Sequence, residues 1–309
     1  MSGGADGASP REPTASREMG DQSFGMILLT PAFLFVACLA LYPIGRVIWL
    51  SFFTQNLATE LQPQFSGAAN YVRLVNDGHY LTALRTSAVF TVLAVSAELV
   101  LGMALALLLN ESFKGRGLAR AAALVPWALP PAVLALAWKW VFNDQFGVFN
   151  DLLLRLGVID HPVAWLGKPA TALFSLLIAD VWKTTPFMTI LLLAGLQNIP
   201  RGLYEAARMD GARAIASFRY ITLPLLVPSI ALALLFRSLQ SFGIFDLPFV
   251  MTGGGPGGAT ETVAIYTYST YLRYLDFGYG SAMIVGTTLL MAAAALLIYL
   301  PLSRAAGTR

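Results

Sequence analysis

Charge is what this sequence has least of. Of its 309 residues only 12% are Asp, Glu, Lys or Arg, against roughly 25% in soluble domains. Apolar residues make up 57% and mean hydropathy is +0.66. That balance excludes an ordinary soluble domain and points to an integral membrane protein. A formal charge of +3 is no argument for a nucleic-acid partner. One cysteine, Cys38, excludes an internal disulfide. It sits in an apolar stretch too long for a signal-peptide core and reads as a structural residue inside a span. His79 and His161 are the sole histidines. Without HExxH or other ligand spacing they indicate no metal site and read as solvated loop residues. No nucleophile elbow is present, so no catalytic residue is assigned. The four lysines exclude a P-loop, whose GxxxxGK[ST] pattern brings backbone amides around phosphate. Gly167-Lys168 runs into Pro169, and Lys183 follows Trp182. Any ATP chemistry therefore belongs to a separate subunit.

What is abundant is long apolar sequence. A spanning helix needs about 20 mostly apolar residues, because every backbone polar group must be satisfied inside hydrocarbon. Six stretches qualify, at about 24–52, 86–110, 121–142, 170–196, 223–251 and 277–301. The fold class is all-α and polytopic. The first 22 residues, rich in Gly, Ser, Ala and charge, read as a disordered cytoplasmic tail before a transmembrane domain over 23–309. Basic residues concentrate on the cytoplasmic side of a membrane protein. With the N-terminus inside, that side takes Arg11, Arg17, Lys114, Arg116, Arg120, Arg201, Arg208, Arg213, Arg219, Arg304 and Arg309. The other side takes Arg73, Arg85, Arg155, Lys168 and Arg273. Both termini, and the segment at about 198–222, are thus expected in the cytoplasm.

That segment carries four arginines between Asn198 and Tyr220. Pro200 suits the first position of a helix, and Glu205 lies near its positive end. Leu203, Ala206, Ala207 and Ala212 offer a shallow face among charged positions. Gly211 lets the chain turn, and a second short helix leads to Ile221, Leu223 and Pro224. Chemistry alone leaves two readings: a docking element for a partner, or an amphipathic loop resting on headgroups.

Pattern separates them. Glu205-Ala206-Ala207, Asp210-Gly211-Ala212, Phe218 and Ile221-Thr222-Leu223-Pro224 resemble the EAA loop of binding-protein-dependent ABC importer permeases. Met251-Thr252-Gly253-Gly254-Gly255-Pro256 with Thr260 and Tyr266, Phe65 to Tyr71, and Leu41-Tyr42-Pro43 are similar to segments of the MalF-like sugar permeases. The six-span length resembles the compact members that import trehalose or related disaccharides. The resemblance implies a type I ABC importer permease fold in a bacterial inner membrane. It also implies that Glu205, Ala206, Ala207, Asp210, Gly211, Ala212 and Pro224 couple to an ATPase. The implied partners are a second homologous permease, two ATPase subunits holding ATP and Mg, and an extracytoplasmic sugar-binding protein.

Charges within spans are functional candidates by default. Arg46, Glu98, Lys139, Asp180, Lys183, Arg237 and Asp246 qualify. Glu98, Asp180 and Lys183 are assigned structural or gating work, with Asp180 and Lys183 three apart on one helix face and able to pair. The stretch 223–251 is longer than hydrocarbon requires, so a break is expected near Ser241 to Pro248. Sugars need hydroxyl partners and apolar ring contacts. Gln240, Ser241, Phe242, Phe245 and Asp246 offer both, with Trp182, Phe187 and Trp138 contributing from other spans, though helix packing alone uses the same residue types. Alternatives are an ABC permease for a non-sugar solute, or an ion-coupled transporter using Glu98 and Asp180.

Overall fold

The computed structural model describes residues 21–59 and 61–307. The tail expected over 1–22 therefore lies almost wholly outside the described residues, as do Arg11, Arg17 and Arg309. The chain divides into two units, Met1–Trp49 and Leu50–Arg309. The first holds α1 (Asp21–Val36), a π turn (Ala37–Leu41) and most of α2 (Tyr42–Leu50). Apolar side chains such as Met26, Phe33 and Phe35 are exposed along it. Cys38 is an exposed free thiol.

The second unit opens with a feature the all-α reading lacked. Strands β1 (Phe53–Thr54) and β2 (Gln64–Phe65) pair antiparallel, Phe53 opposite Phe65. Buried Asn70, in α3 (Ala69–Asn76), donates to the carbonyls of Ser51 and Phe53 at 3.0 and 2.8 Å. It ties the hairpin's base to the first turn of α3. The long helix α4 (Gly78–Asn110) follows, capped by Asp77, whose carboxylate accepts from the His79 and Tyr80 amides. Its 33 residues extend about 50 Å at 1.5 Å each, well beyond a hydrocarbon core of about 30 Å.

The apolar run at 121–142 is not one straight helix. It forms α5 (Arg116–Ala128) and α6 (Pro131–Val141), bent by 91° at a break of two residues. Proline disfavours the helical region for the residue before it, and Pro130 and Pro131 are consecutive. Leu129 (ψ 138°) and Pro130 (ψ 132°) are accordingly extended. After α7 (Val148–Arg155) comes α8 (Pro169–Gln197). It continues through Pro186, and Thr184, Thr185 and Thr189 donate their hydroxyls to carbonyls four residues back. The elbow at 198–222 is α9 (Arg201–Met209), α10 (Ala214–Ser217) and a π turn (Phe218–Thr222). It leads into α11 (Leu223–Phe242). The expected break follows at Gly243 to Phe245, before α12 (Asp246–Met251). Then come α13 (Val263–Tyr268), a π turn (Ser269–Arg273) and α14 (Phe277–Gly307). Among the described residues five helical stretches are long and apolar enough to cross a membrane, or six where the bent pair counts as one span.

Helices α4, α8 and α11 form the centre. Gly102 of α4 lies so close to α8 that a Cβ there would come within 2.7 Å of Met188 Cγ. Val95, Ala106, Leu192, Leu196 and Leu226 fill the core between the three helices. A second cluster joins α4, α6, α8 and α12 through Phe90, Ala135, Leu176 and Leu247.

The loop ends converge on Asp77. Its Oδ2 accepts from Tyr266 at 2.8 Å and Tyr279 at 2.6 Å, drawing α13 and α14 onto the start of α4. His79 is more than a solvated loop residue. It stacks on Tyr266 at 4.2 Å and bonds Glu261 at 2.6 Å. Burial pushes the Asp77 carboxyl up, but its hydrogen bonds from two tyrosines and two amides outweigh this and hold it below 3.8. A depressed carboxylate stabilises above its unfolded pKa and loses that contribution as pH falls through the folded value. The window therefore lies below about pH 4. Asp77→Ala should cost about 1–2 kcal/mol, read as a lower melting temperature in detergent. Asp77→Asn keeps the cap and should flatten the acid limb of the stability profile.

Candidate functional site

Three helices bring buried charges together. Arg237 of α11 donates Nε to Glu98 Oε2 at 2.5 Å and Nη2 to Glu98 Oε1 at 2.6 Å. This is the two-pronged geometry a guanidinium offers a carboxylate. Nη2 also donates to Asp180 Oδ2 of α8 at 3.2 Å. The three side chains are 3% (Arg237), 0% (Glu98) and 5% (Asp180) exposed. Thr184 Oγ1 lies 2.7 Å from Glu98 Oε1 and 2.6 Å from the Asp180 carbonyl, and its single hydrogen serves one of these two acceptors at a time. Asp180 is thus paired with Arg237 across helices, rather than with Lys183 on its own helix. Lys183 makes no hydrogen bond or ion pair among the described residues. Arg237 stood among the intramembrane charges in the sequence, but nothing in linear spacing shows that it faces a residue 139 positions away.

A cavity of about 270 Å³ opens beside this clasp. Asp180, Lys183, Thr184 and Arg237 form one wall, and Gln240 and Ser241 another. The break at Gly243 turns Phe245 and Asp246 into the same space, and Trp127 and Pro131 close it from the bent pair α5–α6. Of the sugar-pathway candidates, Gln240, Ser241, Phe245 and Asp246 line the cavity. Phe242 packs with Leu74, Tyr80 and Tyr279 instead. Trp138 and Trp182 meet edge to face at 5.7 Å, and Trp138 stacks on Phe142. Phe187 stacks on Trp127 at 6.2 Å and so stands behind the lining. Trp127 was missed because the run containing it reads as one straight span. A larger groove of about 410 Å³ beside α13 and α14 exposes almost wholly apolar surface, although Thr267, Tyr268, Tyr271, Thr287 and Thr288 are among its lining residues.

The elbow holds Glu205, Ala206 and Ala207 on α9, with Asp210 as its C-terminal cap residue. Gly211 takes φ +81°, a conformation that glycine adopts without the Cβ penalty. Ala212 follows it, and Pro224 lies in the first turn of α11. Tyr204 bonds Thr222 at 2.9 Å, closing α9 onto the foot of α11. Met209 and Ile215 are 88% and 83% exposed, apolar surface that no pattern in the sequence had singled out.

Breaking a buried pair from one side costs about 3–5 kcal/mol, because it leaves an uncompensated charge. Arg237→Met should destabilise the protein by that order in detergent. Arg237→Met combined with Glu98→Gln should recover part of the loss, and thermal unfolding of the four proteins in that cycle measures it.

A family model described as binding-protein-dependent transport system inner membrane component matches residues 98–306. The chain is 41% identical over 278 residues to the trehalose/maltose transport system permease protein MalF of Thermococcus litoralis, covering 90% of this chain and 93% of that one. It is 40% identical over 268 residues to the sulfoquinovosyl glycerol transport system permease protein SmoG of Agrobacterium fabrum, covering 87% and 86%. Among solved structures, a chain of a bacterial ABC transporter involved in import of the acidic polysaccharide alginate superposes with a TM-score of 0.77. That likeness, at 21% identity over 91% of this chain and 95% of that one, is one of fold. The chain belongs to the family of inner membrane components of binding-protein-dependent transport systems.

Proposed function

We propose that this chain is the permease subunit of an ATP-driven sugar importer, lining half of the translocation path and coupling to a separate ATPase. The elbow carries the reading. Glu205, Ala206, Ala207, Asp210, Gly211, Ala212 and Pro224 are its coupling residues, and exposed Met209 and Ile215 give a partner apolar surface to cover. Exposed apolar groups flanked by charge favour a protein contact over bare solvent. In this reading ATP-driven closure of two ATPase subunits draws the coupling loops of the two permeases together. The path then opens outward to receive solute from the binding protein, and hydrolysis returns it inward. The chain sits in a bacterial inner membrane with both termini cytoplasmic. It contributes no bond-making step, and ATP and Mg belong to the ATPase.

The solute path runs through the cavity at Gln240, Ser241, Phe245 and Asp246. Its 270 Å³ is just under the range of about 300–1,000 Å³ for small-molecule sites, as suits half a site completed by a second permease. Trp138, Trp182 and Phe187 then support the path from behind, and the Glu98–Asp180–Arg237 clasp does structural or gating work. The relatives' named solutes, trehalose or maltose in one and a sulfoquinovosyl glycerol in another, favour a sugar, with a disaccharide such as trehalose or a maltose-like sugar as the first candidate. Arg237 is bonded to Glu98 and Asp180, the two carboxylates that an ion-coupled mechanism would use.

Proline fixes φ near −65° and cannot take the +81° of Gly211. Gly211→Pro should lower ATP-driven uptake by at least about tenfold while membrane insertion persists, and Glu205→Ala should act in the same direction. Uptake of radiolabelled trehalose at matched expression is the measurement, and unchanged uptake in both variants would count against the coupling role.

A further inference from the structure

We propose that Lys183 and Gln240 read an uncharged polyhydroxyl solute, and that Arg237 is the positioning residue that decides which atom of Gln240 does the reading. This deepens the sugar-importer reading and rests on it.

A guanidinium has five N–H donors and no acceptor. Nε and Nη2 of Arg237 serve Glu98 and Asp180, and Nη1 lies 3.2 Å from the Gln240 side chain. Only the amide oxygen of Gln240 can face that donor. Its NH2 is therefore turned the other way, and no hydrogen bond among the described residues satisfies it. The clasp thus converts an ambivalent amide into a fixed donor. Lys183 adds an ammonium with three donors and no side-chain hydrogen bond or ion pair among the described residues. Ser241, 1% exposed, also lines the cavity, and its buried Oγ has no hydrogen-bond partner among the described residues. Acceptors complete the lining, in the Asp246 carboxylate and the second oxygen of Asp180.

The charge balance selects the class of solute. In formal charge the lining residues Asp180, Asp246, Lys183 and Arg237 balance, and Glu98 directly behind them leaves the site as a whole with one negative charge. A carboxylated or sulfonated sugar would add a second in a site sheltered from water, where Coulomb terms are large. A hydroxyl both accepts and donates. It can accept from Lys183 or Gln240 and donate to Asp246 with no added charge. The cavity therefore favours neutral over acidic sugars, a distinction that membership of the family leaves open.

The test is calorimetric titration of the purified permease–ATPase complex, without binding protein, using trehalose as the neutral probe and digalacturonate as the acidic one. The unaltered complex should bind trehalose at least about tenfold more tightly, as one charge-assisted contact implies. Lys183→Met and Gln240→Glu should each weaken trehalose binding about tenfold. Arg237→Lys keeps the charge but loses the fork. It should weaken trehalose binding as Gln240→Glu does, and the double variant should be no weaker than Gln240→Glu alone. A purely structural Arg237 would instead give additive losses. Unchanged trehalose affinity in both Lys183→Met and Gln240→Glu, with melting temperatures preserved, would overturn the assignment. So would digalacturonate as the tighter ligand, or binding of neither probe. ATP-driven uptake by the same complex in proteoliposomes is a separate readout: its persistence in those cases leaves the importer reading standing, and its absence removes that reading and this one together.

Discussion

Within a membrane-spanning bundle a charge survives only if other groups take over the work of water. Arg237 meets that constraint by giving both prongs of its fork to Glu98 and sharing one with Asp180. These bonds hold α4, α8 and α11 together at one depth. Small residues permit it. Gly102 lets α4 settle against Met188, and Gly195 of α8 faces Ser229 and Leu226 of α11 at a separation no larger residue would fit. Apolar packing between membrane helices supplies little specificity, because lipid tails are as apolar as leucine. The clasp provides the register that packing alone does not.

Features around the clasp inherit their geometry from it. The guanidinium sets the orientation of Gln240, and the helix ends one turn later at Gly243. That early end brings Asp246 into the cavity that Lys183 also lines, where a continuous helix would have presented side chains to its neighbours. Non-helical backbone at membrane depth is tolerated where it is enclosed by protein or lines a cavity, and the break meets that condition. The 91° bend between α5 and α6 does the same on the opposite wall, where Trp127 and Pro131 close the space.

The proposed coupling elbow is joined to this centre by a short rigid route. Tyr204 holds α9 to Thr222, and the π turn at Phe218–Thr222 runs directly into α11. Fifteen residues separate Thr222 from Arg237, about 22 Å of helix. In the importer reading, displacement of the elbow therefore reaches the clasp along one helix without an intervening loop. At the other end, Asp77 gathers the starts of α4 and α14 with α13. The segments that resemble sugar-permease loops are held by side-chain bonds from Asn70, Thr260 and Thr262.

Much of this was legible without a structure, because hydropathy and length are local properties. The spans, the break after Ser241 and the Gly211 turn all follow from runs of residues a few turns long. The run at 121–142 misled because its apolar character is continuous, while the decisive property was the backbone preference at two adjacent prolines. Asp180 and Lys183 have the spacing to pair on one helix, yet Arg237 took Asp180 from a helix 57 residues away, since a buried carboxylate gains more from a desolvated fork than from a flexible neighbour. Sequence by itself determined that this is a membrane-spanning chain with a basic elbow and a few charges buried among its helices. Only the tertiary structure decided which charges meet, which amide faces the cavity and which aromatic rings line it. Those outcomes depend on the rotation and depth of helices far apart in the chain, and no local pattern encodes them.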